Sequence, residues 1–288
     1  MPATDVRLIR ADNPSPLTGP GTNTYLLGQG TVTVIDPGPD LDSHLAAILA
    51  ALEPGERIAH ILLTHAHLDH SALIPRLVKA TGAEVLAYGP AQSGRSAVMS
   101  ELAAQGLTGA EGADVTFAPD RRIADAQVLT LSSLSVTAWH LPGHMGCHMG
   151  FSWADTLFSG DHVMAWSTTL VSPPDGDMTA YMQSLYRLQG QHWGRFFPGH
   201  GPVVTDPQTR LTDLIAHRIA RETAILSSLA TSGPASAATL AAHIYTDTPP
   251  LLLPAATRNV LAHLIDLRSR GHVSAQPGPF ATASFELS

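Results

Sequence analysis

The sequence has 288 residues, of which 44% are hydrophobic, so it is long and apolar enough for a large domain plus a small one and is not a disordered chain. Its single cysteine, Cys147, excludes an intrachain disulfide and a zinc site made of several cysteines. The net charge of −8 opposes nonspecific binding to nucleic-acid phosphates.

The first part of the chain predicts strands that alternate with helices, which is typical of an α/β fold. It starts without the apolar core of a signal peptide, and no run of about 18 apolar residues follows, so we expect a cytoplasmic protein without a membrane partner. A helix over 71–82 is expected to have His70 or Ser71 as its N-cap and to end at Gly82. The other predicted elements are a hairpin of strands 22–28 and 31–38, a helix over 41–52, and strands 59–65 and 83–89.

A second series of strands begins near Gly112. After it come a helix over 179–190 and a last strand that runs into Pro198-Gly199-His200. Two successive halves of this kind predict two facing sheets flanked by helices, although the halves share no sequence repeat. The strands predicted in the series are 113–120, 126–133, 134–144, 148–155 and 156–163.

The last 80 residues differ in charge and in pattern from the rest. They contain 6 Lys and Arg against 5 Asp and Glu, whereas residues 1–208 contain 10 against 19. Three amphipathic helices, over 209–230, 236–245 and 254–271, precede a hairpin over 272–287, which is the order of elements in a winged helix. We therefore predict two domains, 1–208 and 209–288.

The stretch Thr64-His-Ala-His-Leu-Asp-His70 carries four metal-ligand side chains at the end of an apolar strand. His65 and His67 are two residues apart and project to the same side of an extended segment, and Asp69 and His70 follow where the chain turns into a helix. A helix through His65 and Asp69 is the alternative, but the segment continues a strand and no cap precedes it.

Three more candidates stand at small-residue turns that end apolar strands: His144, Asp161 and His200. Glycine and proline beside them permit tight turns that direct a side chain into a shared cleft. Five histidines and two aspartates suit two Zn²⁺ ions, with Fe or Mn as alternatives, and leave room for a bridging hydroxide. A structural zinc site would be closed by four ligands, so seven candidate ligands favour a catalytic site.

Thr64–His70 resembles the T-H-x-H-x-D-H signature of the metallo-β-lactamase superfamily, and the Leu-Pro-Gly-His144, Ser-Gly-Asp161 and Pro-Gly-His-Gly201 segments follow in that family's order. The resemblance implies an α/β, four-layer αββα sandwich. It also implies a binuclear site similar to that of glyoxalase II. In that site His65, His67 and His144 hold one metal, Asp69, His70 and His200 hold the other, and Asp161 bridges both.

The resemblance extends to residues 13–28, 172–185, 216–226 and 255–273. These segments look like the branch of the superfamily that carries a C-terminal winged helix and includes a mitochondrial endoribonuclease for single-stranded RNA. The implied substrate is therefore single-stranded RNA, contacted by Arg258, Arg268 and Arg270. The winged helix is equally compatible with a lid or with the interface of a homodimer.

The predicted reaction is hydrolysis by a metal-bridging hydroxide, with Asp69 orienting the nucleophile. His148, four residues after His144, is expected either to support a metal ligand from behind or to contact the developing negative charge. The same chemistry applies to a small-molecule ester, thioester, lactone or β-lactam, for which Trp166, Tyr181 and Tyr186 could form an apolar wall. An iron redox protein of the same fold and a nucleic-acid-binding regulator are further alternatives.

Other polar residues are assigned supporting or ordinary roles. Thr64 is expected to orient a ligand by a hydrogen bond, and Cys147 to be a small buried residue. His140 and His162 are expected to pack near the site without binding metal. Ordinary polar roles are predicted for His44, His60, His192, His217, His243, His263 and His272.

Overall fold

A computed structural model describes residues 6–109, 112–276 and 280–288 of the chain. The first sheet is built mainly from the N-terminal third. Its described strands lie in the order β1-β2-β3-β4-β5-β6, with β1–β2–β3 antiparallel and β3–β4–β5–β6 parallel. The strands are β1 (Val6–Arg10), β2 (Asn23–Leu27), β3 (Thr31–Ile35), β4 (Arg57–Leu62), β5 (Glu84–Ala87) and β6 (Arg121–Arg122).

The second sheet has the order β11-β10-β9-β8-β7, in which the neighbours are antiparallel except for the parallel pair β10 and β11. Short turns join β7 to β8 and β9 to β10, the longer loop 141–148 joins β8 to β9, and a connection that contains a helix joins the parallel pair β10 and β11. The strands are β7 (Val128–Leu131), β8 (Leu134–His140), β9 (Met149–Trp153), β10 (Thr156–Gly160) and β11 (Arg195–Pro198).

The two sheets face each other across a common apolar core. Leu62 and Leu86 of the first sheet belong to the same buried cluster as Val136, Phe151 and Phe158 of the second. The outer face of the first sheet is covered by helices α1 (Asp42–Ala50) and α3 (Ile74–Thr81), and that of the second by α5 (Met178–Gln189). The predicted four-layer αββα arrangement is confirmed.

The C-terminal segment forms the predicted winged helix. Helices α6 (Pro207–Ser232), α7 (Ala237–Ile244) and α8 (Leu253–Ser269) pack around an apolar cluster together with a small sheet. That sheet comprises β12 (Ala235–Ser236), β13 (Val273–Ala275) and β14 (Ser284–Leu287), with β14 in the centre. Helix α4 (Ala97–Ala104) of the N-terminal part contributes Met99 and Leu102 to the same cluster.

Helix α6 belongs to both cores. Leu211 and Leu214 near its start pack with the second sheet's outer layer, whereas Ile225 and Leu229 near its end pack in the winged helix. The predicted boundary at residue 208 therefore lies at the beginning of a continuous helix, and the division into 1–208 and 209–288 stays a prediction.

Two local predictions were wrong. The N-cap of α3 is Leu73, because a separate one-turn helix, α2 (Leu68–Ser71), comes first with His67 as its N-cap. Residues 113–120 form a single β-bridge at Ala113 and a turn at 115–116 rather than a strand, because the Asp114 carboxylate accepts hydrogen bonds from the backbone and hydroxyl of Thr116.

The helices in the described ranges are too short or too polar for any of them to cross a membrane.

His263 makes a testable contribution to acid sensitivity. Neither of its ring nitrogens has a hydrogen-bond partner among the described residues, so the ordinary polar role predicted for it is not observed. It lies in α8 with 1% of its surface exposed, and burial, then Arg218, lower its pKa to about 3. Unfolded protein takes up this proton below pH 6.5, but folded protein does not, so the free energy of unfolding falls as pH decreases from 6.5 toward 3. Between pH 6.5 and 5, the free energy of unfolding of wild type should fall by about 2 kcal/mol more than that of a His263→Leu variant.

Urea unfolding of both proteins at the two pH values measures this difference. A difference between wild type and His263→Leu that does not change with pH would show that His263 is not held neutral by the fold.

Candidate metal centre

Four side chains of the site come from the segment that follows β4. After Leu62 the chain remains extended through His65 and His67, and Asp69 and His70 then lie in the single turn of α2. The helical alternative for His65 is wrong, because α2 begins only at Leu68.

The other three side chains follow strands of the second sheet. His144 comes after β8, Asp161 directly after β10, and His200 two residues after β11. Only glycine fits before two of them: Gly143 has φ +145° and its Cβ would lie 2.4 Å from the Tyr181 backbone, and a Cβ on Gly199 would lie 2.4 Å from Asp161 Oδ1. The strand ends of both sheets thus meet at one edge.

The structure brings all seven predicted side chains together. His67 Nδ1 lies 3.0 Å from both His65 Nε2 and His144 Nε2. His200 Nε2 lies 3.3 Å from His70 Nε2, from Asp69 Oδ2 and from Asp161 Oδ2. Asp161 also approaches both groups, with Oδ1 3.5 Å from His70 Nε2 and Oδ2 3.8 Å from His144 Nε2.

The ring nitrogens that face outward fix the orientation of the histidines. His144 Nδ1 donates to Leu170 O at 2.7 Å, and His200 Nδ1 donates to Gly21 O at 3.3 Å. His65 Nδ1 donates to Thr64 Oγ1 at 3.0 Å, which confirms the expected contact of Thr64. Each of these bonds leaves Nε2 directed inward, as a metal-binding imidazole requires.

The cluster fits divalent cations. Lone pairs of imidazole and carboxylate that face one another at 3.0 to 3.8 Å repel unless a cation or proton lies between them. Asp161 Oδ1 is buried and has no hydrogen-bond partner among the described residues. Within the part of the chain that the structure describes, three groups of ligand atoms are close enough to hold an ion: His65, His67 and His144; His65, His70 and Asp161; and Asp69, His70 and His200.

Burial and the two carboxylates set opposite pKa shifts within the cluster. Burial lowers the pKa of His67 to about 3. It acts in the same direction on His200, but Asp161 and Asp69 outweigh it and raise that pKa to about 9. The electrostatic potential beside Asp161 is therefore negative, which favours a bound cation there.

Asp36 was not predicted and belongs to the site. Its Oδ2 accepts hydrogen bonds from Thr64 Oγ1 at 2.7 Å and His70 Nδ1 at 2.9 Å, and its Oδ1 accepts from Thr64 N at 2.8 Å. It directly follows β3, which runs parallel to β4, so both strand ends reach the same edge. The signal in the sequence is a charged residue at the end of a buried strand, but the strand predicted over 31–38 included Asp36 without giving it a role.

His148 lies behind the cluster. Its Nε2 accepts a hydrogen bond from the backbone N–H of Asp161 at 3.2 Å, its ring stacks on His65 with centroids 5.0 Å apart, and it has no exposed surface. This position agrees with the supporting role expected for His148 and not with a direct contact to substrate, because the ring does not line the pocket.

A pocket of about 330 Å³ opens over the cluster. Five of the seven side chains line it, whereas His65 and His70 are buried beneath them. The exposed surface of the pocket is mainly apolar, although polar side chains also line it. The aliphatic lining residues are Pro16, Leu17, Leu68, Met164 and Leu170, and the further polar ones are Ser15, Thr18, Ser167, Thr168, Ser172 and Asp175. The predicted aromatic wall was wrong: Tyr181 is fully buried and donates to His162 O, and Trp166 packs on Gly19 and Gly201.

The predicted RNA contacts have partners within the fold. Arg270 forms ion pairs with Glu222 and Asp266, and the Arg268 guanidinium lies 5.4 Å from the Phe280 ring centroid. Arg258 Nε donates to Ser172 Oγ at 2.9 Å. RNA binding stays a prediction.

Cys147 agrees with its predicted role as a small buried residue. It is 2% exposed, and burial raises the pKa of its thiol to about 11, so it is not a nucleophile at neutral pH.

Residues 17–200 match the model of the metallo-beta-lactamase superfamily, and residues 236–278 match that of the beta-lactamase associated winged helix domain. The chain belongs to the metallo-beta-lactamase superfamily. It is 32% identical over 271 residues to a beta-lactamase-like protein 2 homolog of Drosophila melanogaster, covering 90% of this chain and 86% of that protein.

Two other proteins are similar to this chain. An atrochrysone carboxyl ACP thioesterase of Aspergillus fumigatus is 32% identical over 242 residues, covering 80% of this chain and 68% of the relative. A beta-lactamase domain protein of Burkholderia ambifaria has the same fold, with a TM-score of 0.81, 23% identity, and coverage of 99% of this chain and 92% of that one. The fold and the winged helix inferred from the sequence are thus those of this superfamily.

Replacing Asp36 by asparagine should weaken binding of a divalent cation about 10- to 100-fold. An amide keeps the volume, but it cannot accept all three hydrogen bonds that Thr64 and His70 donate, so the His70 ring loses its fixed orientation. Competition with a chromogenic chelator measures the affinity, and Asp40→Asn, an exposed residue of the next turn, is the control. Equal affinities for Asp36→Asn and wild type would contradict this role.

Proposed function

We propose that the chain is a hydrolase of carboxylic esters or thioesters that depends on two divalent cations. The observation that carries the proposal is the seven-residue cluster at the base of a pocket whose exposed surface is mainly apolar. The superfamily supports hydrolysis, and the apolar surface favours an acyl group over a nucleic-acid strand, for which a groove of free cations is expected.

The donor set indicates how the cations are held. His65, His67 and His144 would hold one, Asp69, His70 and His200 the other, and Asp161 would be shared because its two oxygens approach both groups. Imidazole and carboxylate suit Zn²⁺, and the same donors accept Fe or Mn.

The chain's own groups have separate tasks. When bound, the cations supply a water nucleophile at neutral pH and positive charge for the substrate oxygen. Asp69, with 30% of its side chain exposed, faces the pocket and accepts a hydrogen bond that orients the nucleophile. His148 fixes the backbone of Asp161 from behind. Leu17, Leu68 and Leu170 keep bulk water from the reacting carbonyl.

The relative named as an acyl-carrier thioesterase supports this substrate class. The RNA alternative rests on the winged helix. Of the three arginines proposed to contact RNA, however, Arg270 forms ion pairs with two acidic residues and Arg268 lies over an aromatic ring. Lactones and β-lactams contain the same type of carbonyl and remain alternatives.

A substrate panel tests the proposal. Zn²⁺-loaded protein is incubated with butyryl and octanoyl thioesters, a lactone, a chromogenic cephalosporin and a single-stranded RNA oligomer, with Asp69→Ala as the inactive comparison. We expect thioester hydrolysis that exceeds the others and is lost in Asp69→Ala. RNA cleavage that is lost in Asp69→Ala, without thioester turnover, would instead support the endoribonuclease.

A further inference from the structure

A second concavity, of about 740 Å³, continues from the site pocket toward the winged helix. The two share Ser15, Pro16, Leu17 and Leu170 in their walls. Leu170 also contacts the metal centre, since its carbonyl accepts a hydrogen bond from His144 Nδ1. The concavity therefore begins beside the cluster.

The far wall is aliphatic and comes from the start of α8 and the turn before it. Leu251, Leu252, Pro254 and Ala255 line this end. Leu251 is 74% exposed, and Leu17 on the opposite wall is 54% exposed. Large aliphatic side chains left in solvent around a concavity indicate a binding surface rather than a structural core.

The polar groups of the wall are turned toward the protein. Arg258, the charged lining residue, donates through Nε to Ser172 Oγ and through Nη2 to Thr108 O. Thr257 Oγ1 donates to Leu253 O, and Ser15 Oγ accepts from the backbone of Leu17 and Thr18. The surface that remains for a ligand is thus mainly carbon.

We infer that this concavity binds the aliphatic acyl chain of the substrate, so that the winged helix helps to determine chain-length specificity. The inference rests on the proposed hydrolysis of esters or thioesters. The occupant follows from continuity: a carbonyl placed over Asp69 and His144 directs its acyl chain past Leu170 into the aliphatic groove. Here this groove, lined by Leu17, Leu170, Leu251, Leu252, Pro254 and Ala255, is called the acyl groove.

Kinetics with acyl N-acetylcysteamine thioesters from acetyl to decanoyl test the inference, and a thiol reagent detects the product because Cys147 is buried. Each methylene that enters the acyl groove should raise kcat/KM about threefold. Ala255→Phe, which fills the groove, should lower kcat/KM for the decanoyl thioester at least tenfold. It should leave kcat/KM for the acetyl thioester within twofold of the wild-type value. Ala242→Phe, on the exposed face of α7, is the matched control.

Leu251→Glu provides a second variant that does not disturb the core, and Leu287→Glu is its exposed control. Like Ala255→Phe, Leu251→Glu should lower kcat/KM for the decanoyl thioester and leave that for the acetyl thioester nearly unchanged. Chain-length dependence that is absent in wild type, or unchanged in both groove variants, would overturn the inference while leaving thioester hydrolysis intact.

A binding measurement separates the inference from the proposed reaction. S-decyl-N-acetylcysteamine, a thioether without the scissile carbonyl, is titrated into wild type, Ala255→Phe and Ala242→Phe by calorimetry. We expect its Kd to rise at least tenfold in Ala255→Phe alone. Equal affinity in all three proteins would overturn the acyl groove even if thioesters are hydrolysed, whereas tight binding without any thioester turnover would contradict only the proposed reaction.

Discussion

Replacing Asp161 by asparagine is expected to lower kcat about 1,000-fold and to remove at least one of two bound cations. Asp161 stands between the two ligand groups, with Oδ2 3.3 Å from His200 Nε2 and 3.8 Å from His144 Nε2, and with Oδ1 3.5 Å from His70 Nε2. An amide keeps the shape but removes the negative charge shared by both groups. Cations in such sites contribute several kcal/mol to catalysis, and about 4 kcal/mol corresponds to three orders of magnitude in rate.

Metal analysis and thioester kinetics on the same preparation check this expectation. Asp213→Asn makes the same change at an exposed position of α6 and should leave the number of bound cations and kcat at the wild-type values. Two cations per chain and undiminished turnover in Asp161→Asn would show that this carboxylate is not shared.

The second large effect is expected at Arg218, which links the winged helix to the metal centre. This side chain of α6 is 1% exposed, and its guanidinium donates to Thr169 O and, at 3.3 Å, to Asn259 Oδ1. Asn259 Oδ1 in turn accepts from Val171 N at 3.0 Å. The C-terminal helices thus hold the segment 169–171 from one side.

The other side of the same segment holds two candidate ligands. Thr169 Oγ1 donates to Asp161 O at 2.7 Å, and Leu170 O accepts from His144 Nδ1 at 2.7 Å. A shift of residues 169–171 would therefore displace both Asp161 and His144. The winged helix supports the geometry of the site through these backbone groups.

Arg218→Met should lower the free energy of unfolding by about 2 kcal/mol and kcat about tenfold. Methionine removes the cost of burying a charge, but the buried Thr169 carbonyl loses its donor, which costs about 1 to 3 kcal/mol. Displaced ligands reduce the rate further, because catalysis is sensitive to shifts of an ångström or less. Urea unfolding and thioester kinetics measure the two effects.

Arg221→Met is the matched control, one turn along the same helix, where the guanidinium lies over the partly buried Tyr245 ring. It should change stability by less than about 1 kcal/mol and leave kcat unchanged. Equal behaviour of the two variants would contradict the link through 169–171.

The positions of the seven side chains could be predicted because each lies in a segment that follows an apolar strand. His65, His144 and His200 follow such strands within a few residues, and a sheet places strand ends on a common edge. The apolar strands fix the backbone, and the turn glycines fix the direction of the side chains. Local sequence therefore contained most of the information about the cluster.

What escaped prediction depends on contacts between distant segments. Asp36 and His70 are 34 residues apart, and no spacing indicates that their side chains meet. The closeness of His148 to His144 in sequence left a supporting role and a substrate contact open, and only the structure, in which β9 begins one residue later, places the ring behind Asp161. The acyl groove combines residues near positions 15, 170 and 255, which only the tertiary structure brings together.

The central claim is that two cations held by this cluster hydrolyse an acyl ester or thioester. The most direct test is to titrate cation-free protein with Zn²⁺, and in parallel with Fe²⁺ or Mn²⁺, while following hydrolysis of the octanoyl thioester. We predict that turnover is absent at the start and rises to a plateau at two equivalents per chain. Undiminished turnover in the cation-free protein, or no turnover with any of the three cations at two equivalents, would contradict the account.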